Sequence, residues 1–256
     1  MHRCSMLISR LSFITLLYLV LSPFSNAAIA QQKSLILTTE DYPSFNIVDP
    51  ETRKINGIST EKVTEIMRRA GVAISIQAYP WARSYLMAQR DTDTCVFSTT
   101  RTPQREALFK WVGPLVKNNW VIFGRADDTR KPKNIDDLRG YIIGVYRQGA
   151  VSEFFSYNGG IQIDIANYDE ENPRKLMYKR FDFWATGEKL GNRLIKAKGY
   201  TGKIVPLFQF NQVELYLACN PLTAQSNIDL YNKILRDMEK DGTVSAIERK
   251  YQYQSQ

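Results

Sequence analysis

The stretch Ser98-Thr99-Thr100-Arg101-Thr102-Pro103-Gln104-Arg105 sits at a junction between two different local signals. Before it, Cys95-Val96-Phe97 is short, apolar and β-prone, the composition of a buried strand. After it, Thr102-Pro103 has the form of an N-cap followed by proline at the first helical position, with Glu106, Ala107 and Leu108 continuing a helix. That order brings the Ser98 and Thr100 hydroxyls to a helix N-terminus whose unpaired N–H groups favour negative charge. Arg105, in the first turn, adds a planar fork suited to a carboxylate. The stretch reads as a grip for a small anion; the alternative is a plain strand-to-helix turn carrying a solvated arginine.

Outward from this junction, strand and helix signals alternate, the pattern of an α/β fold with mainly parallel sheets. Upstream, Leu35-Ile36-Leu37 reads as a strand. Val63, Ile66, Met67 and Ala70 recur at helical spacing and Gly71 ends that helix. Val72, Ile74, Ile76 and Ala78 then alternate as in a strand that stops at Pro80-Trp81. A short helix over 82–89 and a strand over 120–124 follow. The charged, proline-containing segment 125–133 reads as a connector to a second α/β unit, with strands expected at 141–146, 161–166, 181–185 and 204–208. A last strand at 213–219 and two amphipathic helices, the first ended by Gly242, finish the chain.

Arg3 and Arg10, the apolar run 11–24 and Ala28-Ile29-Ala30 give residues 1–30 the form of a cleavable signal peptide, so the protein is expected in the periplasm. The apolar run, about 14 residues, is short of the roughly 20 of a membrane span. Loss of the leader lowers the net charge from +8 to +6. The surplus is spread along the chain without a basic block or a nucleic-acid motif, so no nucleic-acid partner is expected. His2 is the only histidine, which leaves residues 31–256 without the base of a Ser-His-Asp or Cys-His site and without imidazole metal ligands. Only Cys95 and Cys219 remain beyond the leader, too few for a thiolate metal site. No metal and no cofactor is expected. In an oxidising compartment the two cysteines can pair; two buried free thiols are the other possibility.

In order and spacing, several motifs resemble bacterial solute-binding protein family 3, the amino-acid-binding-like components of ABC importers. They are Thr39-Glu40-Asp41-Tyr42-Pro43-Ser44-Phe45, Asn56-Gly57-Ile58-Ser59, Ser98–Arg105 with Phe109-Lys110-Trp111-Val112-Gly113-Pro114, Asp137-Leu138-Arg139-Gly140, and Asp241-Gly242-Thr243 with Lys250-Tyr251. The resemblance spans essentially residues 34–251. It implies a two-lobed α/β periplasmic-binding-protein fold of type II, each lobe a mainly parallel sheet flanked by helices. Lobe 1 would comprise 31–124 and 213–256, lobe 2 residues 125–212, and a ligand would lie in the cleft between them. A monomer delivering its solute to an inner-membrane ABC permease is the implied assembly.

Carried over position by position, the resemblance makes Ser98, Thr100 and Arg105 the grip for a ligand carboxylate, and Tyr42 and Phe45 the aromatic cover of one ligand face. Trp81 and Arg83 follow a strand end, where α/β sheets open their binding crevice. In the second lobe, Gln148-Gly149 is the turn expected against the carboxylate, flanked by Tyr146. The chain departs from the family after 181–185, where an aspartate that takes the ligand's ammonium is replaced by Trp184-Ala185-Thr186-Gly187. Trp184 and Thr186 then read as a pocket floor, and Glu40 or Asp169 as a charge supplied from another loop.

The expected function is capture of a small carboxylate-bearing solute, amino-acid-like or an organic acid, by lobe closure, without enzymatic activity. Two alternatives share the fold: a dehydratase-like enzyme, with Glu188 or Glu40 as its acid, and a sensing module for a membrane receptor. Replacing Arg105 by alanine is expected to abolish ligand binding at little cost to the unliganded protein.

Overall fold

The computed structural model describes residues 34–157 and 159–252; the expected signal peptide lies outside them. The chain runs β1 (Leu35–Thr39), β2 (Ile47–Val48), β3 (Ile55–Asn56), α1 (Ile58–Ala70), β4 (Ile74–Ala78), α2 (Trp81–Arg90), β5 (Thr94–Thr100) and β6 (Lys110–Arg125). It continues β7 (Ile142–Tyr146), α3 (Ala150–Tyr157), β8 (Gln162–Ala166), α4 (Asn172–Met177), β9 (Phe183–Gly187) and α5 (Glu188–Ala197). β10 (Ile204–Cys219), α6 (Gln225–Lys240) and α7 (Thr243–Gln252) complete it.

Eight strands form one sheet in the order β4-β1-β5-β10-β6-β9-β7-β8. Pairings on both flanks are parallel: β1 with β4 and β5, and β7 with β8 and β9. The two 16-residue strands β6 and β10 are antiparallel to each other and join the flanks. β10 meets β5 through Leu215–Cys219, and β6 meets β9 through Trp120–Phe123. The chain therefore passes between the two halves inside these strands.

Local chemistry explains most of the elements. All seven residues of β5 are buried, the apolar Cys95-Val96-Phe97 together with the hydroxyl residues Thr94, Ser98, Thr99 and Thr100, as a strand covered on both faces requires. α1 turns Val63, Ile66 and Met67 inward against Leu37, Phe97 and Leu217. It ends at Gly71 in the left-handed conformation, whose N–H caps the last carbonyls. In the second half, Ile143, Val145, Phe155 and Phe183 form the corresponding core.

Two expectations from sequence change here. The helix expected after Thr102-Pro103 is only a 3-10 turn over Glu106–Leu108. Too few residues separate Pro103 from β6 for a helix to propagate, and Phe109, Trp111 and Val112 gain more by burial in the sheet region. The anion grip thus loses its helix N-terminus. The strands expected at 204–208 and 213–219 are a single strand, because 209–212 bridge them through pairing with 119–121 of β6.

Candidate functional site

The parallel strands of both halves bring their C-terminal ends to one region, the usual place for a crevice in an open α/β sheet. β1 delivers Glu40, β5 Ser98 and Thr100, β7 Tyr146, and β9 Gly187; the turn after β8 delivers Asp169, and α2 begins there with Trp81. Two spaces lie among them. An inner cavity of about 20 Å3, room for one water, is lined by Tyr42, Ser98, Thr100, Arg105 and Gly187 among others. An outer cleft of about 730 Å3, within the range of small-molecule sites, is lined by Arg83, Arg147, Asp169 and Glu170 among others. Glu40, Trp81 and Tyr146 line both. They stand as a wall: Tyr146 Oη lies 3.5 Å from Glu40 Oε1, and Trp81 Nε1 donates to the Gln148 carbonyl at 2.7 Å.

Arg105 is buried, its side chain 1 % exposed, with its guanidinium 4.8 Å from the centre of the Tyr85 ring. Its fork is already occupied. Nε and Nη2 donate to Glu153 Oε2 and Oε1 at 2.8 and 2.7 Å, and Nη2 also donates to the Gln148 carbonyl at 3.0 Å. The carboxylate on Arg105 is thus the chain's own, from the first turn of α3. Sequence reading missed Glu153; it is the one acid of α3, four residues past Gly149, and that spacing was its only signal. Removing Glu153 leaves a guanidinium buried without a counter-charge, held only by the Gln148 carbonyl. Glu153→Ala is expected to cost about 3 kcal/mol, at the low end for a broken buried pair because Glu153 is partly exposed. The double variant Arg105→Met/Glu153→Leu should recover most of it in urea unfolding. Arg105→Ala in turn leaves the partly exposed Glu153 without its counter-charge, so the unliganded protein is expected to lose some stability too, where the sequence alone led to little cost.

Ser98 is the extra residue of a β-bulge, between Phe97 paired to Leu217 and Thr99 paired to Tyr216, and its φ of 60° is left-handed. Its hydroxyl donates to Asn46 Oδ1 at 2.8 Å. Thr100 lines the inner cavity. Tyr42 is buried, accepts from Asn118 Nδ2 at 2.7 Å and meets Phe45 edge-on. Phe45 itself is wholly buried in the core. Gly187 admits no side chain, since a Cβ there would lie 2.2 Å from Tyr42 Oη. Gln148, exposed, also holds a left-handed φ of 57°, and next to it a Cβ on Gly149 would lie 2.8 Å from the Tyr146 ring.

Trp184 and Thr186 are buried and hold Asp169. Trp184 Nε1 and Asn172 Nδ2 donate to Asp169 Oδ1 at 2.8 and 2.7 Å, and the Thr186 hydroxyl donates to Oδ2. A carboxylate therefore stands beside the end of β9 although β9 carries none there. Burial pushes Asp169 up to about 6, against the lowering effect of those three donors. Burial, reinforced by the charges of Asp169 and Glu170, pushes Glu40 up to about 8. Neither acid has a cationic partner among the described residues. Glu188, the other acid considered from sequence, accepts from Asn119 Nδ2 at 2.9 Å.

Arg83 lies over the Tyr79 ring at 3.9 Å, and Arg147 Nε donates to Asn167 Oδ1 at 3.1 Å, both on the outer cleft. Cys95 and Cys219, opposite each other in the β5–β10 register, form a disulfide. Among the described residues no group of His, Cys, Asp and Glu is placed to hold a metal ion, and no helix is long and apolar enough to cross a membrane.

Residues 35–254 match the bacterial extracellular solute-binding proteins, family 3. The chain belongs to this family. It is similar to the L-cystine-binding protein TcyA of Bacillus subtilis (strain 168), with 20% identity over 228 residues, 88% of this chain and 83% of that protein. The fold of this family 3 protein also matches a histidine kinase sensor domain with similarity to periplasmic binding proteins, at a TM-score of 0.78 and 18% identity, covering 86% of this chain and 96% of the other. A mutant arginine-binding protein from T. maritima matches at a TM-score of 0.73 and 19% identity, covering 85% and 94%. At such identities the two structures establish the type of fold, a periplasmic-binding-protein α/β architecture.

Proposed function

We propose that this family 3 protein captures a small amine-bearing, amino-acid-like solute in the outer cleft and delivers it to an inner-membrane ABC permease. The observation that carries the reading is the pair Glu40 and Asp169, two carboxylates on one cleft with no ion pair to a cation among the described residues. Such a pair is poorly stabilised until a positive group arrives. A ligand ammonium supplies it from the cleft side, where both acids are reachable. Residues 31–124 with 213–256 act as one lobe and 125–212 as the other, and β6 and β10 are the strands about which they close. The cystine-binding relative and the arginine-binding neighbour both handle amine-bearing solutes, which fits this reading.

Thermal-shift screening with amino acids and amines tests it. A ligand at 100 times its dissociation constant adds about 2.7 kcal/mol, which raises the melting temperature by roughly 5–10 °C at this size. The double variant Glu40→Gln/Asp169→Asn is expected to lose that shift. A shift of undiminished size in the variant would count against the reading. One observation favours an enzyme instead: Glu40, protonated up to about 8, has the character of a general acid. A bound organic acid recovered unchanged by NMR after prolonged incubation excludes that reading.

A further inference from the structure

The outer cleft is lined by charges of both signs, and they do not all pair. Where opposite charges on its lining are within reach of each other they pair, as Arg193 and Asp41 do at 2.7 Å. Glu40 and Asp169 do not pair with Arg83 or Arg147, and among the described residues neither arginine pairs with any carboxylate. The cavity therefore carries the less exposed Glu40 and Asp169 and the exposed Arg83 and Arg147 with no ion pair between them, and the exposed Glu170 on the same lining. Arg105, the arginine expected to take a ligand carboxylate, lies on the far side of the Glu40–Tyr146 and Trp81–Gln148 contacts with its fork filled by Glu153. A cleft of about 730 Å3 also exceeds what a compact α-amino acid fills.

We infer that the cleft takes an extended zwitterion, its ammonium at Glu40 and Asp169 and its anionic end at Arg83 and Arg147, rather than an α-amino acid gripped by Arg105. The inference rests on the amine-binding reading above and adds the separation and polarity of the ligand's charges. An ω-amino acid and a short peptide, with its N-terminus inward and its carboxylate outward, share this chemistry. Arg83 and Arg147 supply the planar donors a carboxylate prefers.

Norleucine and 6-aminohexanoate test it cleanly, because they are isomers that differ in the distance between ammonium and carboxylate; hexylamine carries the amine alone. Isothermal titration of the purified protein should show 6-aminohexanoate binding at least tenfold tighter than either. The double variant Arg83→Gln/Arg147→Gln should erase that margin. Equal affinity for hexylamine and 6-aminohexanoate overturns the inference, since no anionic contact is then made. Tighter binding of norleucine, lost in Arg105→Lys, also overturns it while leaving the amine-binding reading in place. Binding of none of the three, with no response to other amino acids, overturns both.

Discussion

Reducing the Cys95–Cys219 disulfide is expected to lower the unfolding free energy by about 5 kcal/mol, from the chain entropy released when a loop of this length opens. The two cysteines are separated by 124 positions, and the enclosed segment contains the whole of the second half of the sheet. Both are fully buried, opposite each other where β5 and β10 pair, and Cys95 lies three residues before Ser98. In urea, with a slope of about 3 kcal/mol/M, the midpoint should fall by roughly 1.5 M. Comparing unfolding curves with and without reductant checks this, and Cys95→Ala/Cys219→Ala should follow the reduced protein with a further small loss from the cavity. Coincident curves for the oxidised and reduced protein would show that the bond constrains nothing.

Raising the pH from about 5 to about 8 is expected to weaken the unliganded protein and to strengthen its hold on an amine. The folded Glu40 keeps its proton up to about 8, whereas the unfolded chain releases it near 4.5. Between these values the folded state binds more protons, so its stability falls with rising pH, by up to about 1.4 kcal/mol per pH unit. Asp169 acts in the same direction between 3.8 and about 6. Glu170 and Asp41 add repulsion, and the Tyr146 hydroxyl eases the Glu40 charge. An ammonium in the cleft reverses the preference and expels the proton. Binding near neutral pH should therefore release protons, visible as a buffer-dependent heat in calorimetry. Glu40→Gln should flatten the stability profile, and a level profile in the parent protein would refute the assignment of this proton to Glu40.

Much of this protein was legible in residue order alone. The helix ended by Gly71, the buried strand at Cys95–Phe97, the alternation of elements and the family motifs all follow from nearest-neighbour chemistry, which sequence records directly. Trp81 was marked by the strand end it follows, Tyr146 by the turn it flanks and Glu40 as an acid on a loop, and the three line both spaces at the wall between them. Tertiary structure decided the rest. Thr102-Pro103 carries a helix signal, yet the sheet claims the residues that would have extended it. Trp184 and Thr186 read as a pocket floor, but their polar atoms belong to Asp169, fifteen and seventeen positions away. Arg105 reads as a ligand hook, and its partner Glu153 lies 48 positions on, across the two halves. Propensity acts over a few residues and survives in the sequence as a pattern. Counter-charges and buried hydrogen bonds are chosen by whichever groups the fold brings within about 3 Å, and only the packed chain specifies those.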